Sequence, residues 1–258
     1  MEFTPIIETL SSYFSPSPLV KKDPVPFVVM ILSPHPDDEC IVGSLALRLQ
    51  KENNVHIVNV AVTLGSNKER QSERLKELEA ACEHLEMELV VLHENWSKKT
   101  KELKSLILKY QPQLILAPHV KDHHPTHIKT GQLLKKVLDK KKNTLIAWTE
   151  FWGQLEKPNT LVEVPSEILL LQMEALAKHV GEVSRNPYHL RLPAWMMDNV
   201  RRGSEVISGK GAASPTIPFG VLYQLQISKK GKLKDVKLPS SFLSHLADLG
   251  EIVKNEID

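Results

Sequence analysis

Two short clusters of histidine and acidic residues are the parts of the sequence best suited to chemistry. In the first, residues 34–39 read Pro-His-Pro-Asp-Asp-Glu, which places one imidazole and two adjacent carboxylates within four residues. The flanking prolines fix φ and stiffen the loop, which suits the binding of a metal ion. Two consecutive side chains rarely face the same point, so we expect one of Asp37 and Asp38 to bind a metal and the other to act beside it. The alternative is that either aspartate caps the helix that follows.

The second cluster spans residues 118–127, which hold four of the 11 histidines of the chain. Pro125 suits the first position of a helix, so His124 is predicted near the helix cap and His127 in the first turn. Both side chains can then point back into a cleft. The alternative is a solvated, histidine-rich loop that binds no ligand.

The two clusters predict a metal site with a His₂Asp ligand set. The set comprises His35, one aspartate of the pair and one or two histidines of the second cluster. Three protein ligands with an open fourth position are typical of catalytic zinc. Iron, cobalt and manganese also accept nitrogen and oxygen ligands of this kind. The two cysteines, Cys40 and Cys82, lack the paired spacing of a thiolate site.

Apolar runs that alternate with amphipathic stretches predict the elements that position both clusters. The runs are apolar on both faces, as in the buried strands of a parallel sheet. Strands are predicted at residues 27–32, 55–63, 88–92, 114–117 and 144–148, and helices at residues 40–50, 69–85, 101–110 and 128–138. The clusters follow the first and fourth strands. If these strands run parallel, both clusters reach the same sheet edge, where loops build sites in open α/β sheets.

The alternation of strand and helix predicts a Rossmann-like three-layer α/β/α sandwich with a mostly parallel sheet. We expect residues 1–258 to form a single domain with an α/β core at residues 27–155. The C-terminal part, residues 156–258, is expected to extend this core and to shape the pocket. It is predicted to contain helices at residues 166–180, 194–202 and 242–253 and a late strand at residues 219–227.

The composition limits the classes of function. The chain has 258 residues, of which 41% are apolar and 25% charged, as in ordinary globular proteins. With 33 Lys and Arg against 31 Asp and Glu, the net charge is +2, which gives no general attraction to nucleic acid or anionic membranes. No apolar run near the start approaches the ~18 residues of a membrane span. We therefore predict a cytoplasmic protein without a nucleic-acid partner, and the scarcity of cysteine fits a reducing compartment.

The motifs themselves resemble those of a known family. The segments His-Pro-Asp-Asp-Glu at residues 35–39 and His-Pro-Thr-His at residues 124–127 are similar, in the right order, to the two motifs of the PIG-L/LmbE-like family of zinc-dependent N-acetylglucosaminyl deacetylases. Residues 63–65 and 74–81 resemble two further family patterns, and the likeness covers residues 27–155. It implies a Zn²⁺ cofactor, with Fe²⁺, Co²⁺ or Mn²⁺ as other occupants, and a small amino-sugar substrate.

The resemblance also implies roles for individual residues. His35, Asp38 and His127 match the metal ligands. Asp37 matches the general base that takes a proton from the attacking water. His124 matches the residue that protonates the leaving amine or stabilises the tetrahedral oxyanion. A carboxylate base and an imidazole acid are the groups that amide hydrolysis needs beside a metal.

Two further positions bear on the pocket. Arg74 lies in the helix that is similar to the family's Arg-x-x-Glu-Leu pattern, and it is a candidate substrate-binding residue. The alternative is an i,i+3 ion pair with Glu77. The chain departs from the family at Thr126, where many members have an aspartate that orients the catalytic histidine. Asp122 is the candidate to take over that role.

The resemblance predicts a hydrolase that removes the N-acetyl group from an N-acetylglucosamine-type amino sugar or conjugate and releases acetate. The alternative is an amidase or longer-acyl hydrolase that acts on a sugar–thiol or antibiotic-type conjugate. A third hypothesis is a binding protein that keeps the metal but has no turnover. Family members are often oligomeric, so a homo-oligomer is also expected.

Overall fold

The computed structural model describes residues 2–138 and 142–258. Its central feature is a set of parallel strands in the order β3-β2-β1-β4-β5. These strands are β1 (Val28–Ser33), β2 (His56–Ala61), β3 (Glu88–Val91), β4 (Leu114–Pro118) and β5 (Thr144–Thr149). Each lies where the apolar runs predict it, and the ends differ by at most two residues.

Helices flank the strands along the whole chain. They are α1 (Thr4–Ser11), α2 (Asp38–Val42), α3 (Ser44–Asn53), α4 (Gln71–His84), α5 (Trp96–Tyr110), α6 (Pro125–Val137), α7 (Ser166–Leu176), α8 (Val180–Arg185), α9 (Tyr188–Ser208) and α10 (Leu249–Ile257). A 3₁₀ turn, Lys68–Arg70, precedes α4. Within residues 2–138 and 142–258, none of the helices combines the length and apolar character needed to cross a bilayer.

Alternating side chains of the strands pack into two separate apolar layers. Along β1, Val29 and Ile31 contribute to one core, and Met30 and Leu32 contribute to the other. The first core contains buried residues of α3, α4 and α7, and the second contains buried residues of α5 and α6. Helices therefore cover both faces of the sheet, which confirms the predicted three-layer α/β/α sandwich.

The C-terminal part extends the same sheet beyond β5. β7 (Gly220–Lys229) runs antiparallel to β5 and confirms the predicted late strand. β6 (Thr160–Glu163) and β8 (Lys232–Asp235) pair antiparallel with β7, and the short β9 (Phe242–Leu243) pairs with β6. The apolar pattern does not predict these last three strands.

A buried ion pair ties the α/β core to this extension. Arg48 and Glu52 on α3 are both fully buried, and Arg48 Nε lies 2.6 Å from Glu52 Oε1. The Arg48 guanidinium also donates to the carbonyl oxygens of Glu163 on β6 and Ser244 after β9. One side chain of the core thus holds two elements of the C-terminal part.

The helix predicted at residues 40–50 is two helices in the structure. The break falls at Gly43, where a Cβ atom would lie 2.4 Å from the carbonyl oxygen of Glu39. Only glycine permits so close an approach of the backbone. The sequence pattern predicts one continuous helix here, because the apolar residues on both sides of Gly43 keep helical spacing.

Three predictions in the C-terminal part also differ from the structure. The helix expected at residues 166–180 ends at Leu176, and a separate helix, α8, follows. The helix expected at residues 194–202 is the middle of the longer α9, which continues through Pro193. Residues 242–253 begin with β9 and a loop, and α10 starts only after Asp248, whose side chain caps it.

Candidate metal centre and active-site cleft

Both sequence clusters lie at the same edge of the sheet. β1 and β4 are parallel neighbours, so the loops that leave their carboxyl ends meet. The helices that follow β1 pack in one core, and α6, which follows β4, packs in the other. The gap between these strands is therefore a topological switch point, the usual place for a site in an open α/β sheet.

Four side chains from the two clusters form a compact group. The ring centroids of His35, His124 and His127 lie 4.7 to 5.3 Å apart. Asp38 Oδ2 lies 3.4 Å from His35 Nδ1 and 3.4 Å from His127 Nε2. The backbone N–H of His35 donates to the same oxygen at 2.9 Å and fixes the carboxylate against its loop. The three residues expected to bind metal thus share one small volume with His124.

The donor atoms of this group fit a divalent metal ion. His127 is 5% exposed, and its Nε2 has no hydrogen-bond partner among the described residues. Buried polar atoms without a partner are uncommon and call for an explanation such as an ion. Tetrahedral zinc bonds of about 2.0–2.1 Å place ligand atoms about 3.3 Å apart. That spacing is close to the separation of Asp38 Oδ2 from the two ring nitrogens.

Asp38 supplies negative charge to the group. Its burial opposes ionisation, but the imidazoles of His127 and His35 outweigh this effect and hold the pKa of Asp38 well below its ordinary value. The pKa of His127 is also set by two opposing causes. Burial lowers it, while the carboxylates of Asp38 and Asp122 raise it, and the net result is a raised pKa.

Asp122 supports His127 from behind. Its Oδ2 lies 3.7 Å from His127 Nδ1, while its Oδ1 accepts the backbone N–H of His124 at 2.7 Å. The expectation that Asp122 orients the ring of His124 is therefore wrong, because the carboxylate faces the ring of His127. A carboxylate behind a ligating imidazole fixes the ring's orientation and raises its basicity.

His124 occupies the N-cap position of α6, as the sequence predicts, and it lies next to the rings of His35 and His127. Its Nδ1 accepts the backbone N–H of Thr126 at 3.3 Å, so the imidazole itself caps the helix, and Pro125 is the first helical residue. Burial and the nearby rings of His35 and His127 lower the pKa of His124. A neutral ring that accepts at Nδ1 carries its proton on Nε2.

Asp37 lies beside the group on the wall of a cleft. Its φ of 116° falls in the left-handed region, which residues other than glycine seldom adopt. Such a conformation costs on the order of 1–3 kcal/mol and persists only where the surroundings hold it. The Asp37 N–H donates to Glu39 Oε2 at 3.1 Å. Burial and the carboxylates of Asp38 and Glu39 raise the pKa of Asp37 well above its ordinary value.

The helix after the first cluster does not use either aspartate as a side-chain cap. Asp37 occupies the N-cap position of α2, yet within the described part of the chain its side chain makes no capping hydrogen bond. Asp38 is already inside the helix, and its carboxylate reaches back to the N–H of His35. The capping alternative therefore fails, and both carboxylates face the candidate site.

A cleft of about 1110 Å³ opens over the group. Loops after each of the five parallel strands line it, together with α8 and the start of α9. Trp152, in the loop after β5, lies at its rim and is 40% exposed. From the C-terminal part, Glu182, Arg185 and Tyr188 are among the lining residues.

Arg74 on α4 reaches this cleft, where it was expected to bind substrate. Its contacts within the protein are specific: Nη2 donates to the carbonyl oxygen of Pro36 at 2.9 Å, and Nε lies 3.7 Å from Glu182 Oε1. Glu77, the alternative partner, instead accepts the N–H of Gly181 at 2.9 Å. The i,i+3 pair is therefore wrong, and a substrate contact by Arg74 stays a prediction.

A buried pair behind the cleft is not predicted from the sequence motifs. Glu39 and His179 are both fully buried, and Glu39 Oε1 lies 2.7 Å from His179 Nε2. They are 140 residues apart in the chain, so no local spacing connects them. The one available signal is Glu39 itself, a third consecutive acid that neither metal binding nor base chemistry requires.

The family comparison agrees with the motifs. The family described as GlcNAc-PI de-N-acetylase, PIG-L, matches residues 30–138. This range holds both clusters and the strands and helices from β1 to α6. No curated protein matches the chain in sequence.

Three solved structures illustrate the similarity of fold. N,N'-diacetylchitobiose deacetylase from Pyrococcus horikoshii is 18% identical, with a TM-score of 0.61 over 77% of this chain and 83% of that chain. The zinc-inhibited form of teicoplanin deacetylase Orf2 is 14% identical, with a TM-score of 0.60 over 81% of this chain and 100% of that chain. The 4-carboxy-2-hydroxymuconate hydratase from Pseudomonas putida is 14% identical, with a TM-score of 0.59 over 76% of this chain and 95% of that chain.

These structures establish the fold alone, since one of the three is a hydratase and all are distant in sequence. The family match rests on the sequence, and it covers the residues that carry both clusters. The resemblance is thereby confirmed: residues 30–138 of the chain are similar in sequence to the PIG-L family.

Proposed function

We propose that the protein is a metal-dependent hydrolase that removes the N-acetyl group from an N-acetylglucosamine-type amino sugar or conjugate. One observation carries this proposal. His35, Asp38 and His127 converge beside Asp37, and His35 and Asp37 line the cleft, in a segment that matches a de-N-acetylase family. The reaction adds water to the amide, breaks the C–N bond and yields acetate and a free amine.

His35, Asp38 and His127 are proposed to hold the ion. Zinc is the first candidate because two imidazoles and a carboxylate form a catalytic type of ligand set, and Fe²⁺, Co²⁺ or Mn²⁺ accept the same donors. When bound, the ion supplies Lewis-acid polarisation of the acyl carbonyl. The partnerless Nε2 of His127 and the 3.4 Å spacings around Asp38 support this assignment within the described residues.

Asp37 is proposed as the general base. Its side chain makes no capping bond among the described residues, and the residue lies on the cleft wall next to the metal ligands. In this position its carboxylate takes a proton from the attacking water as the water adds to the carbonyl carbon. A positioned base of this kind typically contributes about 10²–10⁴-fold to a rate.

His124 is proposed to deliver a proton to the leaving nitrogen. An amine is a poor leaving group as an anion, so the C–N bond breaks readily only when the nitrogen gains a proton. Nδ1 of His124 accepts from the helix backbone, which leaves Nε2 as the ring atom for substrate. The same N–H is able to stabilise the oxyanion before the bond breaks.

The cleft favours a conjugate over a free monosaccharide. Its volume of about 1110 Å³ lies above the roughly 300–1,000 Å³ of ordinary ligand pockets. Trp152 at the rim offers a ring face on which a sugar can stack. The same volume leaves room for the second candidate, a longer-acyl hydrolase or amidase that acts on a sugar–thiol or antibiotic-type conjugate.

A substrate panel separates the candidates. Zinc-loaded protein is incubated with N-acetylglucosamine conjugates, with their longer-acyl analogues and with 4-carboxy-2-hydroxymuconate. Acetate and free amine in equal amounts support the deacetylase. Longer acids without acetate support the second candidate. Hydration of the double bond without release of any acid contradicts both.

A cytoplasmic location, a homo-oligomeric state and the lack of a nucleic-acid partner stay predictions. The near-balanced charge of the chain supports the last of them.

A further inference from the structure

The Glu39–His179 pair is fully buried behind the cleft wall, and neither residue is among the described residues that line the cleft. Glu39 Oε1 accepts from His179 Nε2 at 2.7 Å and from Cys40 Sγ at 3.2 Å. The other oxygen, Oε2, accepts the backbone N–H of Asp37 at 3.1 Å. One carboxylate therefore receives three donors, and one of them belongs to the proposed base.

That third bond acts at the strained point of the loop. Asp37 has a φ of 116°, so its conformation needs a partner that holds the N–H in place. Glu39 is only two residues away and turns its side chain back to this N–H. Its carboxylate stays in that orientation because His179 anchors the other oxygen.

His179 is itself fixed by the start of α8. It occupies the N-cap position, and its carbonyl oxygen accepts the N–H groups of Glu182 and Val183. Glu182, one turn later, pairs with Arg74, and Arg74 donates to the carbonyl oxygen of Pro36. The same short helix therefore holds the loop on both sides of Asp37.

We propose that His179 and Glu39 are positioning residues for Asp37, and that α8 uses them to hold the base in its left-handed conformation at the cleft. This proposal rests on the proposed function of Asp37. A second metal ion at Glu39, Cys40 and His179 is the competing explanation, since their ligand atoms lie within 4.8 Å of one another. The 2.7 Å contact is a hydrogen-bond distance and needs no ion to account for it.

The test uses two readouts on the full chain. Hydrogen–deuterium exchange of the segment 35–41 in metal-free protein measures how firmly the loop is held. The kcat and KM of the zinc-loaded protein measure whether Asp37 is positioned to act as the base. His179→Ala is compared with His179→Gln, which keeps a donor near the position of Nε2. Glu39→Gln is the second variant, because it keeps the size of the side chain and replaces one acceptor by a donor.

His189→Ala is the matched control. His179 and His189 are both buried in the C-terminal part, and Nδ1 of each lacks a hydrogen-bond partner in the described part of the chain. The ring of His189 packs against Phe3. It forms no bond to the loop at residues 34–39 within the described residues. A general loss of packing therefore affects both histidine variants, whereas a loss of positioning affects only His179→Ala.

We expect His179→Ala and Glu39→Gln to exchange about tenfold faster at residues 35–41, as the loss of one anchoring hydrogen bond implies. We expect kcat to fall about 10²-fold, as for a misplaced catalytic group, with KM and zinc content unchanged. His179→Gln should recover most of both losses. His189→Ala should match the wild type in both readouts.

Exchange rates at residues 35–41 equal to those of the wild type in both His179→Ala and Glu39→Gln would overturn the proposal. A second bound zinc that both variants lose would also overturn it. If His179→Ala does not fold, Glu39→Gln decides by the same criteria. If the wild-type protein releases no acetate, the proposed function fails on its own, and exchange at residues 35–41 still decides whether the pair holds the loop.

Discussion

At the scale of single residues, the site combines a shared oxygen, a partnerless nitrogen and a strained backbone. Asp38 Oδ2 is equidistant from ring nitrogens of His35 and His127. His127 Nε2 has no hydrogen-bond partner among the described residues. Asp37 holds a left-handed φ next to them. Strain of this kind concentrates where a fold must aim a side chain.

Asp37→Asn tests the proposed base. Asparagine adopts left-handed backbone as readily as aspartate, so the loop should keep its shape while the proton acceptor is lost. We expect kcat to fall about 10²–10⁴-fold, with zinc content unchanged, as measured by acetate release and elemental analysis. A variant that keeps more than half of the activity would show that another group takes the proton.

Asp122→Ala tests the support of His127. Removing a carboxylate behind a ligating histidine typically weakens metal affinity about 10–100-fold. We expect that loss in a competition titration against a chelator, and a smaller loss in Asp122→Asn, which keeps one acceptor oxygen. Equal zinc affinity in the wild type and in Asp122→Ala would contradict the role.

The sequence predicts the residues of the site better than their connections. Short motifs in the sequence contain the candidate site residues, so their types and order could be predicted. These residues are His35, Asp37, Asp38, His124 and His127. The contact of Asp122 with the ring of His127, rather than that of His124, depends on how α6 leaves its loop. The Glu39–His179 contact crosses 140 residues, and only the folded chain reveals it.

At the scale of elements, the start of α6 positions two histidines of the candidate site. His124 caps the helix and His127 lies in its first turn, so a shift of α6 moves both. Gly131 lets this helix approach the end of β4, because a Cβ there would lie 2.5 Å from the carbonyl oxygen of Pro118. The helix is thereby held close to the sheet edge.

Gly131→Ala tests this close approach. In an unconstrained helix the change stabilises by about 0.5–1 kcal/mol, but here the clash with backbone should outweigh that gain and destabilise by about 1–3 kcal/mol. We expect a lower free energy of unfolding in urea and weaker zinc binding. Gln132→Ala, exposed on the same helix, is the control and should change neither quantity. A higher free energy of unfolding in Gly131→Ala than in the wild type would show that a Cβ atom fits between α6 and the end of β4.

Elements were predictable where periodicity was long and unbroken. The five parallel strands and the helices α4, α5 and α6 follow apolar patterns that no tertiary contact overrides. The break at Gly43 arises from the close approach of Glu39, which is invisible to periodicity. The strand β9 at Phe242–Leu243 exists only because β6 lies beside it, so a local pattern could not show it.

At the scale of the whole molecule, two of the contacts between the C-terminal part and the core differ in kind: one lies at the cleft and one in the interior. α8 reaches the cleft through Glu182, and Arg48 bonds backbone of β6 and of the loop after β9. The second contact is the more costly to break, since Arg48 and Glu52 are both fully buried. Removal of one partner leaves the other charge without compensation in the interior.

Arg48→Met tests this junction. The change leaves the Glu52 carboxylate buried without its partner and should cost about 3–5 kcal/mol of unfolding free energy, as measured by chemical denaturation. The double variant Arg48→Met/Glu52→Leu removes both charges and should recover much of that loss. Equal loss in the single and double variants would show that the backbone hydrogen bonds of Arg48, rather than the ion pair, carry the effect.

The most direct test of the central claim is metal content measured together with acetate release. The protein is purified without a histidine tag, its bound metals are quantified, and a panel of N-acetylated amino sugars and conjugates is assayed alongside His127→Ala. We expect about one zinc per chain, acetate and free amine in equal amounts, and loss of both metal and activity in the variant. A protein that binds no metal at any loading would contradict the His35–Asp38–His127 site. A zinc-loaded protein that cleaves no amide would contradict the proposed reaction.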